Sequence, residues 1–286
     1  MAAALESVSG ASWRLDLSPS NPKAVLVSNG LFAGMAVLSA TVIAAFILFP
    51  LLEMVTQPSF KSLGEAAADR QVVRAIGLSI YTSGMAALIS LIIGTPFAYL
   101  LARRTFFGKK LLESIIDLPI MIPHPVVGIA ILGIAGRNHW LGNAMQQLGI
   151  HIMGTVTGLV TVLTFVGMPF YINAAKAGFE AIPKRLEKVS RSLGASQVGT
   201  FMRVTLPLGW RSMVVGMIMC TARAVSEFGA VVIIAYHPMV APVMIYERFT
   251  AYGLKYSQPV AVWLIVVCLI LFLLLRFFSM PKKRIR

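Results

Sequence analysis

The chain has 286 residues, of which 57% are hydrophobic and 13% charged, and it carries a net charge of +14. Soluble domains carry about a quarter charged residues, so a chain this apolar must hide its surface in lipid. The positive charge sits in a few clusters between long apolar runs, which marks membrane topology and not a nucleic-acid groove.

Residues 1–30 mix Ser, Pro and Asn with few apolar side chains. They read as a cytoplasmic tail, either disordered or with a short interfacial piece near Trp13 and Leu17. A helix needs about 20 apolar residues to cross a bilayer. Leu31 to Leu52 meets that length; no basic region directly precedes it and it is too long for a signal core, so it is expected to stay as a helix. Further spans are expected at Ala75 to Ala102, Ile115 to Ala135, Thr155 to Ala175, Arg211 to Ala235 and Val260 to Ser279. The fold class is therefore all-α integral membrane, with about six transmembrane helices. The third span is the least regular, because Pro119, Pro123 and Pro125 crowd its start.

Lys and Arg set the orientation. Arg103, Arg104, Lys109 and Lys110 follow the second span, and Lys176, Lys184, Arg185, Lys188, Arg191 and Arg203 follow the fourth. Lys282, Lys283, Arg284 and Arg286 end the chain. The remaining loops are poorer: Lys61, Arg70 and Arg74 with balancing acids, then Arg137, then Arg248 and Lys255. The positive-inside rule places the rich loops and both termini in the cytoplasm of a multi-pass cell-membrane protein.

The stretch from Phe179 to Leu208 is the longest cytoplasmic loop. Pro183 suits a helix start, and Leu186, Val189 and Leu193 recur at helical spacing with basic residues mostly on other faces. Gly194 suits a helix end; Val198, Phe201 and Met202 make a second apolar pattern, closed by Pro207. Two short amphipathic helices hinged at Gly194 are expected. They lie on lipid, pack on the spans, or dock a soluble partner.

Ionisable residues at membrane depth are functional candidates. Arg223 and Glu227 lie four apart on one helical face, either as an internal ion pair or as a gate on a substrate path. Asp117 falls near the third span's start. His124, between two prolines, is read as a partner for backbone groups left unsatisfied there. Gly229 would allow close helix approach. Cys220 and Cys268 match no metal motif, the four histidines form no catalytic constellation, and Gly108-Lys109-Lys110 lacks the rest of an ATP phosphate loop.

Gly194, Val204, Leu206 and Pro207 follow the pattern G-x9-[IV]-x-L-P, which resembles the loop E-A-A-x3-G-x9-I-x-L-P of type I ABC importer permeases. Lys188, Val189 and Ser190 stand where that loop has E-A-A, and Glu187 lies one residue earlier. The blocks IDLPIMIPHPVVGIA from Ile116, FVGMPFYINAAKAGFEAI from Phe165 and ARAVSEFGAVVIIAYHPMVAPVMIYERF from Ala222 look like the permeases of archaeal-type molybdate/tungstate transporters. Ser226 to Ala230 recurs more broadly among sulfate and molybdate permeases.

The resemblance implies a type I importer permease fold over a core at 70–280, with a coupling loop at 176–210 and a basic tail at 281–286. It implies a translocation subunit, not an enzyme, paired with a second copy of itself. Two ABC ATPase subunits would bind ATP and Mg, and an extracytoplasmic oxyanion-binding protein would deliver cargo; this chain would hold no cofactor or metal. Pro183, Leu186, Glu187, Val189, Leu193, Gly194, Ala195, Val198, Phe201, Leu206 and Pro207 would form the ATPase-docking loop. Arg223, Ser226, Glu227 and Gly229 would be path or gate positions. Sulfate or another oxyanion is the near alternative. A secondary carrier or channel is the alternative of a different class; it would need internal repeats, broken helices at matching positions or ionisable residues for ion coupling, whereas the sequence shows no clear repeat and the loop around Gly194 would be left unexplained.

Overall fold

The computed structural model describes residues 22–136 and 139–279, and within them every element is helical. The expectations for Trp13 and Leu17, for Arg137 and for the cluster from Lys282 fall outside the described residues. The first helix, α1 (Pro22–Thr56), belongs to a unit of its own. Its Phe32–Thr56 stretch is apolar all round and long enough to span a bilayer.

The second unit begins at Gln57. A short helix, α2 (Phe60–Ala68), occupies the loop that the hydropathy pattern leaves blank. Ser59 caps it by accepting the Ser62 N–H at 3.2 Å. Asp69 ends α2 and starts α3 (Arg70–Arg103), accepting the Gln71 N–H at 2.8 Å.

The expected third span is not one helix. It is α4 (Lys109–Met121) and α5 (His124–Ala135), bent by 110°. A residue before proline is pushed out of the helical region, and Ile122 duly has ψ 134° ahead of Pro123. Pro125, in the first turn of α5, needs no N–H partner there. Next come α6 (Trp140–Gln147) and the long α7 (Val156–Ala181), capped by Thr155, which accepts the Gly158 N–H.

The loop after α7 corrects a second expectation. α8 (Lys184–Ser192) is a separate amphipathic helix, but α9 (Gln197–Thr200) is not. It runs through a π turn at Phe201–Thr205 into α10 (Leu206–Val225). Pro207 closes nothing: it sits in the first turn of α10 and the chain stays helical through it. The fifth span is displaced for the same reason, running from Gln197 to Val225 instead of from Arg211 to Ala235. Ser226 to Phe228 break the helix before α11 (Gly229–Ile234). α12 (Ala241–Tyr252) and α13 (Leu254–Ser279) follow, joined by Gly253 at φ +81°. Among the described residues five helices are long and apolar enough to span, or six with the bent pair as one.

α3, α7 and α10 form the centre. α3 turns small residues inward: Ser83, Ala86, Ala87, Ser90, Gly94 and Ala98 are buried. Small side chains let membrane helices approach closely. A Cβ on Gly94 would lie 2.8 Å from the Tyr171 ring, and one on Gly167 2.7 Å from Cys220 Sγ. On α3 the buried hydroxyls of Ser79 and Ser90 are satisfied within the helix, Ser79 donating to Ala75 O and Ser90 to Ala86 O. Ser79 Oγ also accepts the Ala241 N–H at 2.8 Å, anchoring the start of α12 on α3.

Candidate functional site

Two charged clusters lie at opposite ends of α10. The first is centred on Glu187 in α8. Its carboxylate accepts Arg103 Nε at 2.9 Å, the Thr205 hydroxyl at 2.7 Å and the Tyr99 hydroxyl at 3.3 Å. Arg103 also donates to Ile182 O at 3.2 Å. Both charged side chains are largely buried, so the pair is charge-assisted and little screened. Beneath them Tyr99, Phe179 and Phe201 pack edge to face, with centroids 4.8 to 6.1 Å apart. Glu187 thereby fastens α8 to the end of α3 and to the π turn that opens α10.

α8 ends in a Schellman closure. Gly194, at φ +88°, donates its N–H to Arg191 O, and Ala195 donates to Ser190 O. Ser196 caps α9 through the Gly199 N–H, and Ser190 and Thr200 hydroxyls meet at 3.1 Å across the turn. Leu186, Val189, Leu193 and Val198 are exposed, Leu193 at 83% and Val198 at 71%. Pro183 and Pro207 are exposed, whereas Ala195, Phe201 and Leu206 are half-buried, with Phe201 and Leu206 against the α3–α7 core. The segment thus presents an apolar face that none of the described residues covers, on a helix fixed rigidly behind it.

The second cluster joins three residues. Arg223, in the last turn of α10, donates to Glu227 Oε2 at 2.8 Å, as the four-residue spacing predicts. Glu227 is 1% exposed, and its other oxygen accepts the Ala230 N–H at 3.0 Å, capping α11. His124 completes the group, with Arg223 Nη2 2.7 Å from its Nε2 and Glu227 Oε2 3.5 Å from its Nδ1. The expectation that His124 serves loose backbone is therefore corrected: its ring meets an arginine and a carboxylate.

Glycines make this meeting possible. A Cβ on Gly229 would lie 3.1 Å from His124 Cβ, and one on Gly128 would lie 2.8 Å from Ala230 O. So α5 and α11 touch backbone to backbone, which brings the α5 N-terminus to Glu227. Ser226 stays outside the cluster, exposed and bonded to Arg223 O. Asp117 accepts Asn173 Nδ2 at 2.8 Å and belongs to the α4–α7 contact.

Sequence reading missed Tyr99, Arg103 and Thr205 around Glu187, and Gly128 beside the second cluster. Arg103 was visible only as a topology charge. Gly128 stands among Val126, Val127 and Ile129, so no pattern in the sequence singles it out, and its partner Ala230 is distant in the chain.

The profile of the family described as binding-protein-dependent transport system inner membrane components matches residues 94–281. The chain belongs to that family. The matched region holds both clusters of this inner membrane component, a multi-pass membrane protein. It is 38% identical over 239 residues to the molybdate/tungstate transport system permease protein WtpB of Methanocaldococcus jannaschii, covering 84% of this chain and 93% of the relative. A probable sulfate transport system permease protein of Chlorella vulgaris is further away, 29% identical with 81% and 89% covered. In fold, this inner membrane component is similar to a chain of a bacterial ABC transporter that imports the acidic polysaccharide alginate. The TM-score is 0.72 and identity 17%, with 91% of this chain and 99% of that chain covered. The architecture is that of a type I ABC importer permease.

Proposed function

We propose that this inner membrane component is the permease subunit of an ATP-driven molybdate/tungstate importer. The observation that carries the reading is the 38% identity to a molybdate/tungstate permease across nearly that protein's whole length. A sulfate permease matches at lower identity, which ranks that cargo second.

In this reading two copies of the chain form the path, two partner ATPases bind ATP and Mg on the cytoplasmic side, and an extracytoplasmic binding protein delivers the oxyanion. Leu186, Val189, Leu193 and Val198 supply the apolar docking face. ATPase closure pushes α8. Glu187 passes the push to α3 through Arg103 and to α10 through Thr205. α10 is rigid over 20 residues, about 30 Å, and its far end carries Arg223. A shift of α10 therefore moves Arg223 and Glu227 against His124 and the α5–α11 contact. There the arginine meets a passing dianion only to the degree that Glu227 releases it, since the carboxylate repels the cargo that the guanidinium attracts.

The test is ATPase activity of the chain co-purified with its ATPase subunit and reconstituted in lipid, with binding protein loaded with molybdate, tungstate or sulfate in turn. Stimulation by the molybdate or tungstate form is expected. Stimulation by the sulfate form alone would move the cargo, and no complex with any ATPase would return the carrier hypothesis.

A further inference from the structure

α8 has two opposite faces. At about 100° per residue, Lys184, Lys188 and Arg191 fall on one side of the helix and Leu186, Val189 and Leu193 on the other. The apolar side is the free docking face. The basic side lines a cavity of about 490 Å³ between the end of α3 and the α8–α9 turn.

Arg103 and Arg104 border this cavity across from α8, and Pro96, Tyr99 and Leu100 form its floor. Glu187 is the single carboxylate among the lining residues, and it is already engaged by Arg103, Thr205 and Tyr99. Arg104, Lys184, Lys188 and Arg191 have no carboxylate within ion-pair reach among the described residues. Four unneutralised cations around one cavity repel each other, and an anion held among them removes that repulsion.

An apolar track leads into the same place. Ile93, Pro96 and Leu100 are exposed on successive turns of α3, within a helix long and apolar enough to span the bilayer. The cavity sits where this track ends and Arg103 and Arg104 begin. Basic pockets at the end of an apolar span match the level of lipid headgroups.

We propose that this cavity binds the phosphate headgroup of an anionic phospholipid, with its acyl chain lying along Ile93, Pro96 and Leu100. A free phosphate would use the cations but not the track. An acidic segment of a partner seated on Leu186, Val189 and Leu193 would be on the wrong side of α8. The headgroup bridges Arg104, just past the end of α3, to Lys188 and Arg191 on α8, across the joint that Glu187 already makes. Lipid occupancy thus stiffens the connection between α8 and the spans. The proposal stands on the chain itself and does not depend on which cargo is carried.

The test is native mass spectrometry of the full-length chain in detergent, titrated with phosphatidylglycerol or phosphatidylcholine. Phosphatidylglycerol is expected to bind one per chain, in preference to phosphatidylcholine, and more weakly at high salt. Lys184→Gln/Lys188→Gln/Arg191→Gln is expected to weaken it about a hundredfold, and Lys188→Gln alone about fivefold, from the usual contribution of each cation near an anionic headgroup. Lys184→Arg/Lys188→Arg, which keeps the charge, should retain the lipid and controls for folding. Equal retention of both lipids, or undiminished binding to the single and triple Gln variants, overturns the proposal. Displacement by an equal concentration of inorganic phosphate overturns it in favour of a free-anion site. Loss of the lipid on adding the ATPase subunit overturns it in favour of an acidic partner segment.

Discussion

Glu187 and Glu227 do parallel work at the two ends of α10. Each is a carboxylate taken out of water, which is tolerable only because both of its oxygens find donors. Truncating Glu227 to Ala leaves Arg223 without its carboxylate and α11 without its cap. The expected cost is about 3 kcal/mol, read from thermal unfolding in detergent. The Arg223→Ala/Glu227→Ala double variant should recover part of that loss, with a coupling of about 1–3 kcal/mol; strictly additive effects would dissolve the pair. Gly194 is special for a different reason. No atom lies within 4 Å of where its Cβ would be, so space is not the constraint; its φ of +88° is. Gly194→Asp is expected to strain the α8 end by about 1–2 kcal/mol. It should also lower the stimulation of ATP hydrolysis by loaded binding protein, while hydrolysis without binding protein persists. Unchanged stimulation would remove Gly194 from the coupling path.

Elements met at glycines behave as rigid contacts. A Cβ on Gly128 would lie 2.8 Å from the Ala230 carbonyl and 3.1 Å from its Cα, and backbone cannot step aside cheaply. Gly128→Val should therefore cost about 1–3 kcal/mol of thermal stability. Gly133→Val, in the same helix but with nothing within 4 Å, is the control and should be near neutral. Asp69 ties α2, α3 and α12 together through the Gln71 N–H and Arg248. Partial burial pushes its carboxyl up, but the hydrogen bonds from Arg248 and Gln71 outweigh it and hold the acid below its ordinary value. The folded pKa is depressed, so this contribution is fully present above the unfolded value of about 3.9 and is lost as pH falls through the folded one. Melting midpoints measured from about pH 5 downward should fall less steeply for Asp69→Asn than for the parent chain. At this scale the sequence was legible where a helix is straight and continuous. The spans around Ala75–Ala102 and Thr155–Ala175 fall inside α3 and α7. Where a helix breaks it was legible only in part: the proline cluster marked the start of the third span as irregular but not its 110° bend at Pro123, and no proline marks the break at Ser226–Phe228, which comes with the Glu227 cap on α11.

For the whole molecule, α10 is the long helix between the exposed apolar face of α8 and the Arg223 cluster, and α3 and α7 pack along it. In the proposed function it would transmit displacement, because close-packed helices do not compress. Topology decides which end faces which compartment. The basic clusters after the second and fourth spans and at the C-terminus predict that both termini are cytoplasmic. Protease added outside intact cells should leave a C-terminal tag uncut, and cleavage there would invert the assignment.

Composition by itself determined that the chain lives in a membrane, and its charge pattern predicts which side the basic loops face. Those properties come from local transfer energies and need no knowledge of neighbours. The i, i+4 spacing likewise placed Arg223 beside Glu227, because a single helix carries both ends of that contact. Only the tertiary structure decided that His124 joins them, that Arg103 holds Glu187, and that α5 and α11 cross at Gly128. Each of those contacts links residues tens of positions apart in the chain. Their geometry is set by helix packing and by bends whose energy no local window contains.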